Sequence, residues 1–248
     1  MPRANRLHLD NQIVHITHRC HRRQFLLRFA RDRRVWIRWL YEARKRYGLC
    51  VLDYQVTHNH IHLLVRDRGG DEIPKSMQLI AGRTGQQYNR RKGRGGAFWQ
   101  DRYHATIVDS EGHLIRCLIY IDLNMVRAGV VHHPQEWPDA GYHEIQCAKP
   151  RYRIVDRSAL GELLEIDSRA LAALHRGWID DSLAASVPER EPAWSTAVAV
   201  GRTAFVEQVQ HVLGHRGRFR RIDETTGSAI LREPGPRYRR EFSALWAV

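Results

Sequence analysis

The stretch LCVLDYQVTHNHIHLLVRD, residues 49–67, has the clearest strand pattern in the sequence. It is rich in β-branched and aromatic residues and contains neither proline nor glycine, which is typical of β-strands. It therefore predicts two strands, or one bent hairpin, ending near Arg66. The last strand contains THNHIHLLV, which places several histidines at alternate positions.

The segments around this hairpin predict the other elements of one sheet. Residues 12–17 predict a strand that runs into the basic loop THRCHRRQ, and residues 35–48 predict an amphipathic helix with Gly48 as its end. The downstream elements are a helix over 75–90, the loop RRKGRGGAF, a strand over 103–108 and a helix over about 111–127. The order is close to β-α-β-β-α-β with an extra helix. It predicts an α+β fold, with a ferredoxin-like antiparallel sheet and helices packed on one face.

The character of the chain changes after about Pro150. Helices are predicted over 158–183 and 197–213, separated by the linker PEREPAWS. The tail, from RGRFRRIDE to GPRYRREF, is again rich in arginine. We therefore expect a catalytic domain over residues 1–150 and a small helical, arginine-rich appendage over residues 151–248.

The charge of the chain indicates a polyanionic partner. Its 40 Lys plus Arg residues against 27 Asp plus Glu residues give a formal net charge of +13. Most of the basic residues are arginines, whose planar guanidinium groups bind phosphates through two hydrogen bonds and stack on bases. Nucleic acid is thus favoured over a membrane surface, although a merely soluble basic protein is the simpler alternative.

The cysteines and the hydropathy pattern indicate the compartment. Cys20, Cys50, Cys117 and Cys147 form no Cys-x-x-Cys pair, so neither a zinc ribbon nor a redox dithiol is expected. The sequence begins without the apolar core of a signal peptide, and no apolar run approaches the ~20 residues that span a bilayer. We expect a soluble protein in a reduced cytoplasm, with no membrane partner.

His60 and His62 are the strongest local signal for chemistry. Side chains two residues apart on a strand point to the same face, so both imidazoles can share one divalent metal, while Ile61 and Leu63 face the core. His58 lies on the same face and is either a third partner or simply an edge residue. Taken alone, a His-x-His pair is more often a pair of surface or packing residues.

Tyr120 and Asn124 provide the second signal. They are four residues apart on a predicted helix and therefore lie on one face, one above the other. A tyrosine beside a metal-bound phosphate is a workable nucleophile, because a phenol loses its proton more easily than a serine hydroxyl does. A helix tyrosine at the core boundary, with its hydroxyl in water, is the structural alternative.

Three motifs together resemble a known family. HNHIHLLV, FWQDRYH and YIDLNMVRAGVV begin at residues 58, 98 and 120. In this order and spacing they resemble the REP-associated tyrosine transposases and related single-tyrosine insertion-sequence transposases, over about residues 12–131. The resemblance implies a ferredoxin-like fold, in agreement with the pattern of elements.

The resemblance also implies a mechanism. His60 and His62 would bind Mg²⁺ or Mn²⁺ with Asn124 as the third ligand, and Tyr120 would attack single-stranded DNA next to a hairpin. The expected product is a 5′-phosphotyrosine with a free 3′-OH, which a second 3′-OH can reverse to rejoin strands. Because the ester bond is conserved in this intermediate, no phosphate-cradling loop for a nucleotide is needed.

Two positions depart from the family pattern. The family usually has proline after the asparagine, where this chain has Met125, and proline before the Asn-His pair, where it has His58. Neither change removes a catalytic group. Met125 leaves the end of the helix less sharply fixed, since proline would restrict the conformation of Asn124.

Basic and aromatic residues near the motifs are candidates for DNA contact. Those expected to bind the DNA backbone are Arg19, Arg22, Arg91, Lys92, Arg94 and Arg102, and those expected to stack on bases are Trp99 and Tyr103. For any single arginine, a solvated surface position is an equally good account. The sequence sets neither the DNA sequence recognised nor the choice between monomer and homodimer.

Three other functions compete with this prediction. HNHIHLL also approximates the signature of histidine-triad nucleotide hydrolases, but Asn59 breaks its hydrophobic alternation, and that activity explains neither the charge nor the Tyr120/Asn124 pair. A DNA-binding module without catalytic activity would bind hairpins and form no adduct. A zinc-stabilised fold would melt on chelation and have no DNA chemistry.

Overall fold

A mixed α+β architecture built on one sheet organises the protein. The computed structural model describes residues 11–110, 112–186, 189–225 and 227–233. In these ranges the sheet has seven strands: β1 (Ile13–Arg19), β2 (Cys50–Val56), β3 (His60–Arg66), β4 (His104–Val108), β5 (Ala197–Gly201), β6 (Arg221–Thr225) and β7 (Ser228–Arg232). Their order is β2-β3-β1-β4-β5-β7-β6, and all neighbours are antiparallel except β4 and β5. The predicted α+β class is confirmed.

The hairpin predicted for residues 49–67 is present as two strands. β2 and β3 pair antiparallel, with Tyr54 opposite Leu63. The turn between them is closed by Thr57, whose backbone N–H and hydroxyl both donate to the carbonyl of His60, at 3.0 and 2.8 Å. Because β1 pairs with the other edge of β3, that strand lies inside the sheet, and Ile61 and Leu63 are fully buried as predicted.

Two long helices, α1 (Ala30–Tyr47) and α2 (Glu72–Lys92), pack against each other on one face of the sheet. Trp36 of α1 meets Tyr54 with ring centroids 6.4 Å apart, on the Leu63 side of the sheet. α1 ends at Gly48, as predicted, where φ of +70° favours glycine. The first four strands and these two helices follow the predicted order β-α-β-β-α-β.

The helical segment after β4 covers the face of the sheet opposite α1 and α2. Residues predicted as one helix form α3 (Gly112–Asp122) and α4 (Asn124–Arg127), and the predicted start at Glu111 lies outside the described residues. Neighbouring residues of a strand point to opposite faces, so His62 points away from the Leu63 side, and it contacts the Tyr120 ring of α3. The predicted packing on one face therefore holds for α1 and α2, while α3 covers the histidine side.

The C-terminal region contains strands as well as helices. A short helix, α5 (Tyr142–Gln146), precedes it. The helices after residue 150 are α6 (Arg157–Leu164), α7 (Leu171–Ala185), α8 (Ala193–Thr196) and α9 (Thr203–Val212). The segment predicted as one helix over 158–183 is divided into α6 and α7. The helix predicted over 197–213 is wrong at its start, because residues 197–201 form β5.

AVAVG, residues 197–201, forms a strand because its small and β-branched side chains fit a buried sheet position. β5 lies parallel to β4, with Ile107 opposite Ala199. A short apolar run has the same local signal in a strand and in a buried helix, so only the contact with β4 decides between them. The sheet thus continues past residue 150, and the C-terminal region is not purely helical; the tail GPRYRREF lies outside the described residues.

The outer edge of β2 is covered by backbone. Val56 N–H donates to Asp139 O at 3.0 Å, and Gly141 N–H donates to Tyr54 O at 2.7 Å. Arg33 of α1 bonds the buried Asp139 carboxylate at 2.5 Å and so holds this covering segment. A Cβ atom at Gly141 would lie 2.3 Å from Asp53 Oδ1, so the close approach requires glycine.

The four cysteines are free thiols. Cys20, Cys50 and Cys117 are buried and Cys147 is exposed. Burial raises the pKa of the Cys20 thiol to about 12, so this residue is an inert packing group. Within the described ranges, no helix is both long and apolar enough to cross a membrane.

Gly141→Ala should destabilise the protein by about 1–3 kcal/mol, because the added methyl group collides with Asp53 and with the backbone of Tyr54. Gly177→Ala is the matched control: it lies inside α7 with open space around it and should stabilise by about 0.5–1 kcal/mol. Urea unfolding measures both. Equal stability of the two variants would contradict the close approach at β2.

Candidate active site

A cleft of about 540 Å³ opens on the α3 side of the sheet, where β1 ends and β3 begins. His60, His62, Tyr120 and Asn124 all line it, although they come from β3, α3 and α4. The cleft wall is strongly basic, with Arg19, Arg23, Arg102, Arg127 and Arg190. Asp101 is the one carboxylate that lines it among the described residues. The cleft therefore suits a phosphate-bearing substrate.

The two histidines of β3 meet through their Nε2 atoms. His60 Nε2 lies 3.1 Å from His62 Nε2, and Asn124 Nδ2 lies 3.1 Å from the same His62 atom. The nitrogen and oxygen of a side-chain amide exchange places by a half-turn, so Asn124 Oδ1 can occupy the same position. With the amide in that orientation, His60 Nε2 and Asn124 Oδ1 would both lie about 3.1 Å from His62 Nε2.

His15, His60 and His62 are neutral at neutral pH because burial lowers the pKa of each. Burial, followed by the positive charges of Arg19 and Arg190, lowers the pKa of His60 to about 3. Burial likewise lowers the pKa of His62 well below its ordinary value and that of His15 to about 4. Neutral imidazole is the form that binds metal ions.

The partners of His60 fix which of its nitrogens is bare. His60 Nδ1 lies 2.8 Å from Asn59 Oδ1 and 2.9 Å from Thr57 Oγ1. Asn59 faces its oxygen to His60 because its amide nitrogen donates to Arg23 O, and the Thr57 hydroxyl donates to His60 O. Both oxygens therefore accept, so Nδ1 bears the proton. The bare Nε2 of His60 faces His62.

This donor set fits a divalent metal ion. Ring nitrogens that share one ion at about 2.1 Å lie roughly 3 Å apart in adjacent positions, which matches the separation of the His60 and His62 nitrogens. Among the described residues, no group of three or more His, Cys, Asp or Glu side chains is arranged to hold a metal. The third protein ligand would therefore be the Asn124 amide, and the other positions would face the cleft.

Tyr120 lies beside the histidine pair and is 5% exposed. Its ring centroid is 5.7 Å from that of His62, and the Arg127 guanidinium carbon lies 4.4 Å from the Tyr120 ring centroid. Burial raises the pKa of Tyr120, while the positive charges of Arg127 and Arg190 act in the opposite direction. The phenol is therefore protonated at rest, in a field that favours its anion when the proton leaves.

The residues predicted to contact DNA occupy several environments. Arg19 and Arg102 line the cleft. Arg22 is exposed on the adjacent loop, with a left-handed backbone (φ +52°), and Lys92 is exposed at the end of α2. These four positions remain available to a polyanion, and their role in DNA binding stays a prediction.

The other predicted contacts have partners within the protein. Arg91 pairs with Asp32, and Arg94 donates to Ala97 O at 3.1 Å. Trp99 stacks on His18 at 4.1 Å between centroids, and Tyr103 is 8% exposed in the core. His58, the suggested third metal partner, packs on Trp137 at 5.3 Å and does not line the cleft.

The sequence does not predict the residues that surround His62 and Tyr120, among them His15, Arg127, Arg190 and Trp194. Arg127 could have been found, since it follows Tyr120 by seven residues, which is two turns of a helix. His15 shares a strand face with Thr17 and Arg19, but its nearness to His62 depends on the register of β1 against β3. Arg190 and Trp194 lie in the predicted linker, and the fold alone brings Arg190 to the cleft and Trp194 to the ring of Tyr120.

Comparisons with known proteins give one family-model match and similar solved folds. Residues 8–124 match the family model described as IS200-like transposase. A search of curated protein sequences finds no match. The fold is similar to that of a REP-associated tyrosine transposase solved bound to a REP hairpin, with 19% identity, 62% of this chain and 90% of that chain covered, and a TM-score of 0.50.

A second solved structure, a Deinococcus radiodurans R1 protein described as a candidate transposase, is 16% identical. That match covers 52% of this chain and 92% of the other, with a TM-score of 0.35. At these identities, the similarity to the REP-associated enzyme shows a common fold.

Arg127→Gln should raise the pKa of Tyr120 further, because it removes a positive charge beside the ring. Arg127→Lys keeps the charge and should raise the pKa less. ¹³C NMR of ring-labelled tyrosine, with Tyr120→Phe to assign the signal, measures the titration. Arg83→Gln on α2 is the control, and a Tyr120 titration that is identical in the Arg127→Gln and Arg83→Gln proteins would refute the electrostatic role.

Proposed function

We propose that this protein cleaves and rejoins single-stranded DNA through a covalent bond to Tyr120, because residues 8–124 match the family model of IS200-like transposases. Its substrate would be DNA next to a hairpin-forming repeat, as in DNA transposition or repeat mobilisation. One observation carries the proposal. Tyr120 lines the same basic cleft as His60, His62 and Asn124, with its ring centroid 5.7 Å from that of His62.

His60, His62 and Asn124 would hold the metal ion, which we propose to be Mg²⁺ or Mn²⁺. A mixed set of nitrogen and oxygen ligands with open positions suits a divalent ion that also binds phosphate oxygens. When bound, such an ion supplies orientation and charge neutralisation for the scissile phosphate. The neutral state of both imidazoles supports this role, since neither must lose a proton first.

Tyr120 would be the nucleophile. A bond forms between its phenolic oxygen and phosphorus, and the bond between phosphorus and the 3′ oxygen breaks. The phenol proton ends on the departing 3′ oxygen, which becomes a free 3′-OH. Arg127 and Arg190 would stabilise the phenolate and the negative charge of the phosphate. Attack of a second 3′-OH on the phosphotyrosine reverses these steps and rejoins the strands.

The basic surface supports DNA as the partner. Arg19 and Arg102 would bind backbone phosphates within the cleft, while Arg22 and Lys92 would bind them outside it. A hairpin is the preferred form because the REP-associated transposase of similar fold was solved with one. A cytoplasmic location near bacterial DNA and a monomeric or homodimeric state stay predictions.

Tyr120→Phe should abolish a denaturation-resistant protein–DNA adduct on a labelled hairpin with a single-stranded flank, because phenylalanine has no oxygen to attack phosphorus. Denaturing gel electrophoresis after incubation with Mn²⁺ measures the adduct. Tyr103→Phe is the control and should form the adduct normally. Adduct in the Tyr120→Phe protein would assign the chemistry to another residue, and hairpin binding without any wild-type adduct would indicate a non-catalytic module.

His60→Ala should lower Mn²⁺-dependent cleavage by more than about 100-fold, because it removes a ligand from the proposed site. His58→Ala is the matched control, since His58 packs on Trp137 outside the cleft, and it should cleave within about threefold of wild type. Initial rates on the same hairpin separate the two. Equal losses in both variants, or full activity of His60→Ala, would refute the proposed ligand set.

A further inference from the structure

His15 of β1 links the histidine pair to the C-terminal region. It is completely buried, and its two ring nitrogens have different partners. Nδ1 lies 2.8 Å from the backbone oxygen of Trp194, and Nε2 lies 2.9 Å from Nδ1 of His62. The His15 and His62 rings are nearly parallel, 7° apart, with centroids 5.1 Å from each other.

The chemistry of these partners sets the direction of every bond. A backbone carbonyl accepts and cannot donate, so His15 Nδ1 must bear a proton. A neutral His15 then has a bare Nε2, which accepts a hydrogen bond from Nδ1–H of His62. Neutral His62 in turn has a bare Nε2, the atom that faces His60 and Asn124.

We propose that His15 is a positioning residue, which fixes His62 in the tautomer that presents a bare Nε2, and that the backbone carbonyl of Trp194 orients His15. The pair thus has two independent supports. Thr57 and Asn59 fix His60 from the hairpin turn, and His15 fixes His62 from the neighbouring strand. Both bare nitrogens then point at one position.

The Trp194 carbonyl is well placed for this task because its own residue is immobilised. The Trp194 side chain is fully buried in the main core, and α8 packs against β1 and β4. The same carbonyl lies 3.3 Å from the hydroxyl of Thr106, which is also buried. Residue 194 lies beyond the 8–124 region that matches the family model, so the C-terminal region supplies part of the support for the site.

The other neutral tautomer of His62 could not bind a metal at this position. Without the His15 acceptor, His62 can place its proton on Nε2 and leave Nδ1 bare. That ring would direct an N–H group at His60 Nε2 and could not donate a lone pair to a metal there. The inference rests on the proposed role of His62 as a metal ligand, but not on cleavage of DNA.

¹⁵N NMR of the metal-free, DNA-free protein tests the tautomer directly. In ¹⁵N-histidine-labelled wild type at neutral pH, His15 and His62 should both show a protonated Nδ1 and a bare Nε2, with signals assigned from His15→Gln and His62→Gln. A His62 ring protonated at Nε2 would overturn the proposal. This readout needs neither metal nor DNA, so its outcome is independent of whether Tyr120 forms an adduct.

Metal affinity tests the consequence. His15→Phe should weaken Mn²⁺ binding by about 10–100-fold in calorimetry. His15→Gln retains an acceptor for His62 and should bind more tightly than His15→Phe. His113→Phe is the control, because His113 contacts Ser228 of the C-terminal region at 3.2 Å and does not line the cleft, and it should bind Mn²⁺ as wild type does. Wild-type affinity in a folded His15→Phe protein would overturn the proposal.

Discussion

The structure depends on one constraint, which is that β3 is buried on both of its faces. Ile61, Leu63 and Val65 pack on the side of α1 and α2, while His62 packs against Tyr120 on the side of α3. A buried histidine needs partners for both ring nitrogens. The antiparallel register of β1 provides one, because it sets Thr17 opposite His62 and brings His15 next to it on the same face. The sheet that forms the core therefore also builds the site.

The positive charge of the cleft should couple the binding of the two proposed partners, the metal ion and DNA. Arg19, Arg127 and Arg190 lower the tendency of the buried histidines to take up protons, and the same charges repel a metal ion. A phosphate group offsets this repulsion. Metal and DNA should therefore bind more tightly together than separately, a linkage that is reciprocal by thermodynamic necessity. Burial is the main reason that the pKa values of these histidines are low, and the arginine charges that add to this effect also oppose the rise that burial causes in the pKa of Tyr120.

The sequence predicted the features that depend on local pattern. The hairpin, the end of α1 at Gly48 and the shared faces of His60 with His62 and of Tyr120 with Asn124 follow from periodicity and turn chemistry. His15, Trp194 and β5 depend on contacts between residues far apart in the chain, such as Ile107 with Ala199. No local signal distinguishes AVAVG as a strand from the start of a helix. A His-x-His pair alone is more often structural than metal-binding. The prediction that His60, His62 and Asn124 bind a metal therefore depended on the family resemblance.

Anomalous X-ray scattering from crystals grown with Mn²⁺ and a hairpin bearing a single-stranded flank would locate the metal ion. We expect one strong peak within about 2.3 Å of Nε2 of both His60 and His62, with the Asn124 side chain and a DNA phosphate as further ligands. The Tyr120 oxygen should lie next to that phosphate. Mn²⁺ bound elsewhere, with Nε2 of His60 and His62 still in contact with each other, would contradict it.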